Sequence, residues 1–228
     1  GLVGSEMCIR DSLGISWGNT MYHTVKAVKT SKNIPITVVP IMGAANVRTP
    51  ERDSLDLSKE LAYAYGGTYH YIYAPLFVNS EEVRDSLEQE PNIKGCLELA
   101  RNADIVLTSV GSIVYKSWKS YLSTRDLYNL EKKGAIGHIG GHFYDMEGNE
   151  VITPFVNKMI GLGIEDIKNT ENVICVAGLE MKAEAILGAV RGGYINTLIT
   201  DEEAAKAVLA LCKYCLLYTS PSPRDLST

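Results

Sequence analysis

The chain has 228 residues, 46% of them hydrophobic and 21% charged, with a formal net charge of −5 at pH 7. That balance is ordinary for a globular domain with its own core, and it argues against a basic nucleic-acid-binding surface. No apolar run approaches the roughly twenty residues that a membrane span needs.

The first informative stretch is GISWGNTMYHTVKAV, residues 14–28. Gly14 and Gly18 bracket a tight loop. A helix is expected from Asn19, because Met21, Val25 and Val28 recur at helical spacing. A glycine loop feeding a helix N-terminus turns backbone N–H groups toward one spot, which suits phosphate. An ordinary capped helix after a turn gives the same pattern. Residues 36–42 (ITVVPIM) read as a strand buried on both faces, followed by the small-residue loop Gly43, Ala44, Ala45 and Asn46. A helix is expected over 55–65, closed by Gly66-Gly67, then a strand over 69–74 stopped by Pro75. Tyr63, Tyr65, Tyr69, Tyr71 and Tyr73 cluster there and read as core and interface.

Ser80 caps a helix running through Leu87, and a further helix covers 92–101. Residues 105–110 (IVLTSV) read as a third buried strand ending at Gly111. A helix over 124–133 stops at Gly134, and short strands are expected over 135–139 and 159–162, with a small hairpin around 143–149. Residues 172–177 (NVICVA) form a fourth buried strand, followed by a helix over 180–190 and a last strand over 196–200. Asp201 caps a final helix reaching about Leu211. Strands alternating with helices argue an α/β fold, with a mostly parallel sheet and ligands at the carboxyl ends of its strands. The candidate loops are 16–20, 43–46, 111–112 and 178–182.

Lys182, in the first turn after the fourth strand, either reaches over the sheet end to an anion or is a solvated lysine. His138 ends a strand and is a candidate for the pocket wall. His138 and His142 have the i, i+4 spacing of a zinc pair, but Gly140-Gly141 between them breaks the helix that pair requires. No metal or cofactor is expected. Cys96, Cys175 and Cys212 lie in apolar surroundings and read as reduced thiols. No nucleophile elbow, Walker loop, complete dinucleotide fingerprint or acid/base pair is present, so no catalytic residue is assigned.

The ends read differently. Back-translated, residues 1–12 and 215–225 come from the two strands of one DNA string that resembles a transposon-type sequencing adapter. Segments 1–12 and 215–228 are therefore expected to be non-native, leaving 13–214 as the domain.

Several segments fall together in order: GISWGNT at 14–20, VPIMG at 39–43, APL at 74–76 and ADIVL at 103–107. GAIGHI at 134–139, FYD at 143–145 and VAG with KAEAI at 176–186 follow, then RGGYIN at 191–196 and LITDE at 198–202. This series resembles the sugar-binding effector domain of the SorC family of bacterial transcriptional regulators. The resemblance implies a Rossmann-like fold related to glucosamine-6-phosphate deaminase and ribose-5-phosphate isomerase. It implies a non-enzymatic, cytoplasmic, homo-oligomeric regulator that binds a sugar or sugar phosphate, with DNA read by a helix-turn-helix domain missing from this chain. A sugar-phosphate isomerase or deaminase on the same fold is the alternative. The implied ligand residues are Ser16, Trp17, Gly18, Asn19 and Thr20, Gly43, Ala44, Ala45 and Asn46, with His138 and Lys182. Three departures stand out. His138 occupies a position that often holds an acid in the family, loop 43–46 lacks the arginine of the glycolytic regulator, and Ser112-Ile113-Val114 replaces the deaminases' catalytic segment.

Overall fold

The computed structural model describes residues 11–30, 33–45, 53–115, 118 and 121–219. Six parallel strands form the main sheet: β1 (Ser12–Ile15), β2 (Thr37–Pro40), β3 (Thr68–Tyr69), β4 (Ile105–Thr108), β8 (Asn172–Val176) and β9 (Thr197–Ile199), in the order β3-β2-β1-β4-β8-β9. The chain builds outward from β1 to β3, then returns to the other side of β1 and builds outward again. The reversal lies between β1 and β4, where such sheets open a crevice. Three further strands, β5 (Val110–Ser112), β6 (Gly137–Ile139) and β7 (His142–Tyr144), form a small antiparallel sheet.

Both faces of the main sheet are covered, as a parallel sheet requires. On one face, α1 (Asn19–Ala27) brings Met21 and Val25, and α2 (Ser54–Tyr65) brings Leu57, Leu61 and Ala62, onto Ile15 and Val38. Val39, the next residue of β2, points the other way into the largest cluster, with Val106 and with Ala100 of α4 (Pro91–Arg101). The helix ends follow the local chemistry expected of them. Asp53 caps α2 and Gly66 ends it at φ 70°, while Ser80 caps α3 (Glu81–Glu88). Ser123 and Asp126 make a capping box at α5 (Thr124–Lys132). A short α6 (Ile164–Asn169) precedes β8, and α7 (Ala183–Arg191) and α8 (Glu202–Thr219) follow it.

Four expectations change. The run 105–110 is two strands, because the chain leaves the main sheet after Thr108 and starts the antiparallel sheet at Val110. The strand expected over 69–74 shrinks to Thr68–Tyr69, since it pairs on one side only and diverges after the His70 N–H bonds the Val38 carbonyl. Residues 159–162 make isolated bridges, Phe77 with Met159 and Met42 with Gly161, rather than a strand. Tyr63 and Tyr73 are not core. They are 62% and 75% exposed, at the ends of an edge-to-face ladder through Tyr69 and Tyr71. At the chain ends, Ser12 belongs to β1 and bonds the Asp104 carboxylate through both its N–H and its hydroxyl. Helix α8 continues past Leu211 to Thr219.

Candidate functional site

A cavity of about 280 Å³ opens at the carboxyl ends of β1, β4 and β8, where the sheet order reverses. Its first wall is the β1–α1 connection. Ser16 is buried: its N–H donates to the Leu107 carbonyl at 3.1 Å, and its Oγ lies 3.1 Å from Thr108 Oγ1. Trp17, Gly18, Asn19 and Thr20 follow on the wall. Gly18 has φ 122° and ψ 173°, a conformation closed to other residues, and supplies no side-chain cap. The first amides of α1 therefore have no capping side chain, and an uncapped helix start is a place for an anion.

The second wall comes from the junction of the two sheets. Ser109, Val110, Gly111 and Ser112 line it after β4. His138 on β6 lies opposite Gly111 in the antiparallel register, and its ring occupies the space a side chain at 111 would need. A Cβ on Gly111 would stand 2.1 Å from His138 Nε2. The hairpin β6–β7 turns at Gly140 and Gly141, φ 56° and 91°, and both residues also line the cavity. His138 meets Trp118 edge-on at a ring separation of 5.3 Å, and Trp118 in turn meets Trp17 at 6.0 Å. Neither His138 Nε2 nor Trp118 Nε1 has a hydrogen-bond partner among the described residues. Burial, with the Lys182 charge nearby, pushes the imidazole down to about 3, so it is neutral at pH 7.

The third wall follows β8. Leu179 leads into a 3₁₀ turn, Glu180–Lys182, and Lys182 lines the cavity before α7 begins. Burial lowers its pKa below the ordinary lysine value. No hydrogen bond or ion pair engages its ammonium among the described residues. Among the described residues, Lys182 is also the only one lining the cavity that is charged at neutral pH. Hydroxyls, an uncapped helix start, one cation and two indole rings suit a small anion with a ring or apolar face.

Of the expected site residues, Ser16, Trp17, Gly18, Asn19, Thr20, His138 and Lys182 meet in this one cavity. Gly43, Ala44 and Ala45 do not line it. Their main chain is spent on packing: the Gly43 N–H bonds the Ile160 carbonyl, and the Ala44 N–H bonds Ala74. The Ala45 N–H bonds Asp53 Oδ2, and its carbonyl accepts from the Tyr121 hydroxyl. A Cβ on Gly43 would press on the Pro75 carbonyl at 2.6 Å, so that glycine serves the close approach of two segments of the chain. Asn46 lies outside the described residues. Met42 and Trp118 line the cavity unforeseen; Trp118 sits in a segment with no hydrophobic period to place it. His142, the other half of the apparent zinc spacing, is bonded through Nδ1 to Glu150 at 2.8 Å and through Nε2 to the Leu162 carbonyl at 2.9 Å.

Comparison with known proteins accords with this geometry. Residues 2–210 match the Sugar-bind family model, described as "Putative sugar-binding domain". The chain is 29% identical over 205 residues to the uncharacterized transcriptional regulator YjhU of Escherichia coli K12, and 28% identical over 201 residues to the deoxyribonucleoside regulator of Bacillus subtilis. Those alignments cover 88% and 87% of this chain, and 62% and 64% of the two relatives, so the chain spans less than two thirds of their length. The full-length sorbitol operon regulator SorC of Klebsiella pneumoniae has the same fold, with a TM-score of 0.83 at 24% identity over 88% of this chain and 67% of that one. The chain belongs to this family of sugar-binding domains, which its relatives among transcriptional regulators share.

Proposed function

We propose that this chain is the effector-binding domain of a sugar-responsive, cytoplasmic transcriptional regulator, and that its ligand is a sugar phosphate. The phosphate sits at the amides of Gly18, Asn19 and Thr20, Thr20 adds its hydroxyl, and Lys182 adds charge. The carrying observation is convergence: an uncapped helix start and an unpaired, largely buried lysine share one cavity. The two indole rings cover the sugar's less polar face, and His138, neutral at pH 7, meets its hydroxyls. Occupancy changes the geometry of a homo-oligomer, and with it the spacing of DNA-reading domains outside these residues. A ligand does this only through different affinity for the two arrangements.

The relatives' being regulators favours this reading over a sugar-phosphate isomerase or deaminase. So does the cavity's chemistry: among the described lining residues the one imidazole is held far below the range of a general base, and none is a carboxylate. Calorimetric titration with pentose and hexose phosphates and their parent sugars tests the proposal. Tighter binding of the phosphates is expected. Equal affinity for phosphate and parent sugar would remove the phosphate assignment and leave sugar binding standing.

A further inference from the structure

Leu179 is the only non-glycine residue with a positive φ among the described residues, at φ 78° and ψ 131°. L residues hold such a conformation only where their surroundings impose it. Here the Leu179 N–H donates to Asp201 Oδ2 at 2.7 Å, across 22 positions of sequence. The other carboxylate oxygen, Oδ1, accepts from the Ala204 N–H at 2.8 Å and caps α8. These two amides hold the Asp201 carboxyl below its ordinary range. Gly178 makes room for the arrangement, since a Cβ there would lie 2.2 Å from Asp201 Oδ2. Leu179 lines the cavity, and its carbonyl accepts the Lys182 N–H at 3.0 Å, so the strained peptide is the root of the turn that presents Lys182.

We propose that Asp201 is a positioning residue for the ligand site: Oδ2 holds Leu179 in its left-handed conformation, and this sets where Lys182 stands. The proposal rests on reading the cavity as an anion site. Asp201 is not among the residues lining the cavity and works only through the Leu179 peptide. One carboxylate thus joins the first turn of α8 to the cavity wall.

Asp201→Asn separates its two roles. Asparagine caps a helix as well as aspartate does, through its single carbonyl oxygen, but turns an amide donor toward the Leu179 N–H. In the full chain without ligand, the Leu179 amide is expected to exchange with deuterium at least about tenfold faster, with exchange at Ala207 and Val208 in α8 unchanged. In calorimetric titration with inorganic phosphate, the Kd is expected to rise about tenfold. Adding Leu179→Gly should recover most of that loss, measured against Leu179→Gly alone, because glycine takes this conformation untethered. A purely structural role for Asp201 in α8 would not be repaired from position 179. Unchanged exchange at Leu179 overturns the proposal, as does weakened phosphate binding that Leu179→Gly leaves unrestored. If the unaltered chain takes up no phosphate, the anion reading of the cavity falls, and the Leu179 exchange rate alone decides the tether: faster exchange in Asp201→Asn upholds it and an unchanged rate overturns it.

Discussion

Lys182 is the residue on which ligand charge is expected to depend most. A charge-assisted hydrogen bond contributes about 1.5–3 kcal/mol, so Lys182→Ala should weaken sugar-phosphate binding about ten- to a hundredfold by calorimetry and leave binding of the parent sugar nearly unchanged. His138 makes a prediction about stability instead. Its folded pKa, about 3, lies below the ordinary histidine value of 6.5. Between those values the unfolded chain binds a proton that the folded chain refuses, so stability falls as pH drops from 6.5 toward 3. At pH 5 the loss is about 1–2 kcal/mol. His138→Phe keeps a ring beside Trp118 and should narrow the difference in Tm between pH 7 and pH 5; an unchanged difference would assign the acid sensitivity elsewhere. Both residues were legible in the sequence as candidates for the cavity wall, Lys182 because it follows a recognisable strand and His138 because it lies in one. The residues at 43–45 were misleading, since a small-residue loop after a strand looks alike whether it holds a ligand or lets two segments of the chain touch. Only the pairing of Gly43 with Ile160 and of Ala44 with Ala74 distinguishes the two.

Among elements, the β1–α1 connection and the β5–β6 pair set the shape of the cavity. A Cβ at Gly18 would have nothing within 4 Å among the described residues, so Gly18→Val is expected to act through backbone conformation and by blocking a ligand's approach. It is expected to weaken phosphate binding more than Lys182→Ala does, and equal losses would argue that the helix start is not the phosphate seat. Gly111→Ala forces the His138 ring away. Overpacking of that kind costs about 1–3 kcal/mol, read as a lower midpoint in urea unfolding, and a neutral outcome would mean the ring has room to swing. Helix ends were the most legible elements: Gly66, Ser80 and Asp201 each act where their side-chain or backbone chemistry points. The break between β4 and β5 was not legible. IVLTSV is uniformly strand-forming, and its division at Ser109 is decided by which partner each half finds, β8 or β6.

At the scale of the whole molecule, alternation of strand and helix announced a parallel sheet, but the order β3-β2-β1-β4-β8-β9 depends on contacts between distant segments that no local pattern encodes. The net charge of −5 gives the chain little attraction for DNA phosphates. By itself it should cause no sequence-selective gel retardation at physiological salt, and a selective shift would show that these residues read DNA directly. The ends carry a further proposal, that 1–12 and 215–228 are adapter-coded. Trimming 1–10 and 220–228 should move Tm by no more than about 2 °C, whereas a cut after Ser12 also removes the partner of the part-buried Asp104 contacts and should lower it further. A large loss on the shorter trim would mean the outermost residues are part of the domain.

The chain has two tryptophans, and both stand on the cavity wall, Trp17 and Trp118, with ring centroids 6.0 Å apart at 68°. All of its indole emission therefore originates at the proposed ligand cavity, and the two rings are close enough for their transitions to couple. If the proposed sugar slides between them or screens one from solvent, both the emission and the near-ultraviolet dichroism of the unlabelled protein are expected to change. The domain thus comes with its own optical gauge, and an array of candidate metabolites can be sorted in a cuvette before any operator sequence is known.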